Sequence, residues 1–123
     1  MKPIQIRKVA LEFIMHAARN TYPDEFIGLL RKNRRGEIAE VLVIPQSEYG
    51  RSHSAINFWN VPYTSRHCGS VHSHPNRVPY PSRADLAFFS HAGELHLIIC
   101  RPFTERDVRA FDAKGRELPF EIV

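Results

Sequence analysis

The sequence predicts an α+β domain in which two main helices pack against a mixed β-sheet. Residues 7–19 repeat apolar residues at helical spacing, and a second helix is signalled by a start near Ser82 and a stop at Gly93. The remaining apolar runs are short, rich in branched residues and bounded by turn residues, as strands are. Their order is helix, strands, helix, strands, which is the pattern of an α+β fold. No internal repeat, low-complexity segment or linker interrupts it, so residues 1–123 read as a single compact domain.

A short extended piece, Ile4 to Ile6, precedes the first helix. In that helix Val9, Ala10, Phe13, Ile14, Ala17 and Ala18 form the apolar stripe, and Asn20 and Pro23 close it. "EFIGLL" and "EIAEVLVI" are two strands joined by a turn at residues 33–36, a hairpin. "SAINFWNV", residues 54–61, is a third strand stopped by Pro62, and "HCGSVHSH" is a fourth. The second helix is expected to start near Ser82 and stop at Gly93. "ELHLIIC" is a buried strand, and "DVRAFDAKGRELPFEIV" reads as a final hairpin turning at Lys114 and Gly115.

With 43% hydrophobic and 24% charged residues, the composition is that of a soluble globular protein. No apolar run approaches the roughly 20 residues of a membrane span, and the first residues lack a signal-peptide core, so a cytoplasmic location is expected. Much of the net charge of +4 sits in "RKNRRG", a hairpin tip, so no nucleic-acid partner is expected. Cys68 and Cys100 form no C-x-x-C pair and are read as reduced, buried thiols; a disulfide needs their strands to be neighbours.

The chemistry concentrates in "GSVHSHPNRVPYPSRADL", residues 69–86. Residues two apart on a strand share a face, so His72 and His74 can aim their imidazoles at one point. Asp85 follows at the start of the second helix, where its carboxylate can reach the same point. Two imidazoles and a carboxylate leave one position of a tetrahedral zinc open, the pattern of a catalytic site. A base for the water's proton is offered by Asp24 or Glu25; adjacent strand residues face opposite ways, so only one of them can serve. Taken singly these residues have structural explanations. Ser82-x-x-Asp85 is also a helix N-cap with an acidic third residue, which the helix dipole favours.

Taken together they resemble the JAMM (MPN+/JAB) zinc metalloprotease motif: a glutamate, then His-x-His, seven residues, Ser, two residues, Asp. Here these are Glu25, His72, His74, Ser82 and Asp85, with "YPDEFIGLL" similar to the family's glutamate context. The likeness runs from "IQIRKVALEF" to "GELHLIICRP". It implies a curved mixed sheet flanked by the two helices, the MPN/JAMM arrangement, which is cytidine-deaminase-like. It also implies one zinc per chain, held by His72, His74, Asp85 and a water. Glu25 becomes the general base and Ser82 the oxyanion donor, with Pro75 and Pro81 stiffening the loop between ligands.

The implied activity is that of an isopeptidase or peptidase cutting after the C-terminal Gly-Gly tail of a ubiquitin-like or sulfur-carrier-like protein. The tail would add to a strand edge in the "AINFWNV" region, which carries Phe58 and Trp59. Gly93 leads directly into "ELHLIIC", without the segment that eukaryotic deubiquitinases insert after the second helix, and position 71 is valine rather than a bulky aromatic. The chain thus resembles the minimal prokaryotic or archaeal form, which includes desampylase-like enzymes. The alternative is a non-catalytic MPN scaffold, but such modules lack the metal ligands. A non-haem iron site and a nucleobase deaminase fit the spacing less well, the latter needing a Cys-x-x-Cys pair. His16, His53, His67, His91 and His96 are assigned no role.

Overall fold

The computed structural model describes residues 3–44 and 68–123. The strand expected at 54–61, with Phe58, Trp59, His53 and His67, lies outside the described residues. The element order is β1 (Ile4–Ile6), α1 (Lys8–Thr21), β2 (Ile27–Lys32), β3 (Ile38–Val43), β4 (Gly69–His74), α2 (Arg83–Phe89), β5 (Leu95–Cys100), β6 (Val108–Asp112), β7 (Glu117–Leu118) and β8 (Phe120–Ile122). Among the described residues the strands form one eight-stranded sheet in the order β7-β6-β5-β4-β2-β3-β1-β8. β4–β5, β1–β3 and β1–β8 pair in parallel and the other neighbours are antiparallel, so the sheet is mixed. β7 and β8 stand at opposite ends of that order yet only Pro119 separates them, which requires the sheet to curl until its edges approach.

The sheet is covered on both faces, and strand alternation assigns each residue to one of them. Phe26, Leu30, Val71, Leu97, Ile99, Val108 and Ala110 pack with the α1 residues Ala10, Leu11, Ile14 and Ala18. On the other face Ile27 and Leu29 meet Phe88 and Ala92, and Ile98 and Phe111 meet Phe89. β4 and β5 lie at the centre of the order and are buried at all six positions. Gly69 has no alternative at the start of β4, because a Cβ there would overlap the carbonyl of Leu95 on β5.

Three expectations need correction. Val9 and Phe13 are exposed, 63% and 43%, so the buried stripe of α1 is rotated toward Leu11. α2 ends at Phe89 rather than continuing to Gly93. There the Ser90 hydroxyl bonds back to the Ala87 carbonyl, and His91 and Ala92 make tight three-residue turns onto Phe88 and Phe89. The final hairpin is real between β6 and β7, with Gly115 at φ +83°, but its second arm breaks at Pro119. Proline donates no ladder hydrogen bond, and the chain leaves to run parallel to β1, its carbonyl accepting from the Ile4 N–H.

The two thiols are free. Their strands are neighbours, but Gly69 pairs with Leu95 and His74 with Cys100. Cys68 therefore lies six rungs from Cys100, about 20 Å at strand rise, far beyond disulfide reach. Burial raises the pKa of both.

Candidate metal centre

The site lies where the C-terminal end of β4 meets the N-terminus of α2. Ser70, His72 and His74 point to the α2 face, while Val71 packs on the α1 side. His72 and Asp85 are fully buried and His74 is 6% exposed. Phe88 closes edge-on against the His72 ring, with centroids 4.7 Å apart, and Phe89 lies beside it at 5.5 Å.

Asp85 is delivered by a capping box. Ser82 Oγ accepts from the Asp85 N–H at 3.1 Å, and Asp85 Oδ2 accepts from the Ser82 N–H at 2.8 Å. This fixes the carboxylate over the histidines: Oδ2 is 2.8 Å from His74 Nε2, and Oδ1 is 3.7 Å from His72 Nδ1. Ser82 is thus the predicted cap, and accepting through Oγ leaves its O–H as a donor.

The loop from Pro75 to Pro81 orients His74. Asn76 anchors it, with Oδ1 accepting from the Val78 N–H and its carbonyl accepting from the Arg101 N–H. The Val78 carbonyl is then 2.8 Å from His74 Nδ1, and since a carbonyl only accepts, Nδ1 carries the proton. Nε2 of the neutral ring is the lone-pair nitrogen and faces Asp85. Two atoms sharing a tetrahedral zinc stand about 3.3 Å apart, so the 2.8 Å contact marks a proton held between His74 and Asp85. Among the described residues no group of three or more His, Cys, Asp or Glu side chains stands at metal-holding spacing. The donor set nonetheless fits zinc: parting the pair by about half an ångström gives ligand spacing, and the tautomer is already the right one. Burial works against charge on His74, but the hydrogen bond with Asp85, the Val78 carbonyl and the charges of Asp85 and Glu25 outweigh it and raise the pKa.

Asp24 and Glu25, expected at the start of a strand, lie just ahead of β2, which begins at Ile27. Ile27 pairs with His72, and the ladder continues one step, Ser73 N–H to Phe26 carbonyl at 2.9 Å and Phe26 N–H to Ser73 Oγ at 2.6 Å. Glu25 is half-buried, and Asp24 sits in the turn after α1 with its N–H donating to the Thr21 carbonyl. The charge of Glu25 is felt at His74. Ser73, between the two histidines, was not singled out by sequence; it pins Phe26, the residue next to Glu25.

Sequence reasoning also left out Ser70 and His96. Ser70 Oγ is 2.8 Å from His72 Nε2 and 2.6 Å from His96 Nδ1, and His96 Nε2 is 2.9 Å from the Gly93 carbonyl. Phe89 stacks on His96 at 4.0 Å, nearly parallel. Ser70 was findable, being two residues before His72 and so on its face. His96 needed the β4–β5 register.

A curled mixed sheet with a histidine–histidine–aspartate set at one strand end defines the JAMM class of domain. Residues 7–114 match the family described as prokaryotic homologs of the JAB domain, and the chain belongs to that family. It is 35% identical, over 93% of its length and 76% of the relative's, to a probable metalloprotease from Haloferax volcanii. Among solved structures it is similar to a JAMM protein described as having a metalloprotease-like zinc site in the proteasome and signalosome, at TM-score 0.79 and 30% identity, covering 99% of both chains. A JAB1/MPN domain protein from Archaeoglobus fulgidus matches at TM-score 0.77 and 30% identity, over 98% of this chain and 99% of that one.

Proposed function

We propose that this chain is a zinc-dependent metallopeptidase that hydrolyses a peptide or isopeptide bond after the Gly-Gly tail of a ubiquitin-like or sulfur-carrier-like protein. The observation that carries the reading is the convergence of His72, His74 and Asp85, with the charge of Glu25 bearing on His74. Family membership and the probable metalloprotease relative support the same chemistry.

His72 Nδ1, His74 Nε2 and the Asp85 carboxylate would hold the metal. Zinc, when bound there, lowers the pKa of water to about 7 and polarises a carbonyl. Glu25 takes the proton of the attacking water as the water oxygen bonds to the tail's last carbonyl carbon. As the carbon–nitrogen bond breaks, the same carboxyl hands that proton to the leaving amine. The Ser82 hydroxyl donates to the developing oxyanion while its oxygen keeps the helix cap. Phe88 and Phe89 exclude water behind His72.

The test is incubation with ubiquitin-like and sulfur-carrier proteins fused through their Gly-Gly tails, with and without a chelator. Chelator-sensitive release of the fused partner is expected. A zinc-loaded protein that cuts none of these fusions would refute the substrate class and favour a binding module.

A further inference from the structure

His72 and His74 present different ring nitrogens to Asp85, Nδ1 and Nε2 respectively. For His74 the choice is made directly by the Val78 carbonyl. For His72 it is made at a distance. The Gly93 carbonyl can only accept, so His96 Nε2, 2.9 Å away, carries the proton of the neutral ring. His96 Nδ1 is then an acceptor, and the Ser70 hydroxyl, at 2.6 Å, donates to it. Having spent its single proton, Ser70 Oγ accepts from His72 Nε2–H at 2.8 Å. His72 Nδ1 is left as the lone-pair nitrogen, aimed at the Asp85 carboxylate.

All three side chains are fully buried, so water does not compete within the chain of bonds. Its origin is rigid: Gly93 adopts φ +109°, and a Cβ there would lie 2.5 Å from the Cys68 carbonyl. Phe89 stacks on His96 at 4.0 Å and tilts against His72 at 5.5 Å, so one ring fixes the planes of both.

We propose that Ser70 and His96 are positioning residues of the metal centre, a one-way relay from the Gly93 carbonyl that locks His72 in its metal-binding tautomer. This rests on the reading of His72 as a ligand. Without the relay the ring divides between tautomers and flips, and part of the population presents Nδ1–H to the metal. Loss of such an outer partner weakens metal binding about 10–100-fold.

Nitrogen-15 shifts of the His72 ring in metal-free wild type test the direction first. The Nε2–H tautomer is expected, and the Nδ1–H tautomer would overturn the relay whatever any variant does. Zinc affinity, read by competition with a chromophoric chelator, tests the consequence. Ser70→Ala and His96→Leu are expected to bind zinc about 10–100-fold more weakly. Ser70→Thr, which keeps a hydroxyl, and His96→Gln, whose amide donates to Gly93 while its oxygen accepts from position 70, are expected to stay near wild type. Unchanged affinity in Ser70→Ala overturns the relay while leaving the metal reading intact. A wild type that binds no zinc overturns the metal reading itself.

Discussion

Ser82 is asked to do two jobs, and two substitutions separate them. Its oxygen caps α2 by accepting from the Asp85 N–H, and its proton is assigned to the oxyanion. Alanine removes both functions, and loss of an N-cap costs about 1 kcal/mol. For a chain of 123 residues that is a fall of about 4 °C in Tm. Glycine also removes the hydroxyl but costs a cap only a few tenths of a kcal/mol, about 1 °C here. Removing an oxyanion donor lowers kcat about 100–1000-fold. Ser82→Ala and Ser82→Gly should therefore differ in melting temperature but share the same loss of kcat, with zinc content unchanged in both. Calorimetry and turnover of a tail fusion measure the two quantities. If the rate loss instead follows stability, with Ser82→Gly close to wild type, Ser82 acts only through the helix and the oxyanion role is wrong.

Glu25→Gln should keep zinc and lose about 100–10,000-fold in turnover, whereas Asp24→Asn should leave the rate nearly intact; the opposite pattern would move the base to Asp24. In metal-free protein, the raised pKa of His74 means its pairing with Asp85 stabilises the fold fully below the unfolded value of 6.5 and less as pH rises through the folded value. The stability difference between wild type and His74→Ala, measured by denaturant titration with chelator present, should shrink with rising pH; a difference that grows contradicts the pairing. The zinc-loaded protein should respond the other way, releasing metal on acidification as the ligands take up protons. Equilibrium dialysis across the same range measures this, and full retention well below pH 5 would count against histidine ligation.

The parts of the site that depend on local chemistry were legible in the sequence. His72 and His74 share a face because strands alternate, and Ser82 and Asp85 announce a capping box by spacing alone. What depends on distant pairing was not. Glu25 comes near His74 only because β2, the strand that follows it, pairs with β4, and His96 reaches His72 only because β5 lies parallel to β4. Strand β8 leaves its hairpin at Pro119, as proline allows, but its partner β1 lies over a hundred residues away in sequence, where no local pattern points. The rotated stripe of α1 is of the same kind: Val9 and Leu11 are both apolar, and it is Leu11 that packs into the core while Val9 stays exposed.

Every role proposed for the site requires that His72, His74 and Asp85 hold a zinc ion. Metal analysis of the purified protein beside His72→Ala tests it most directly. About one zinc per wild-type chain and close to none in the variant is the expected result. Full occupancy in His72→Ala, with the variant folded, would contradict the account.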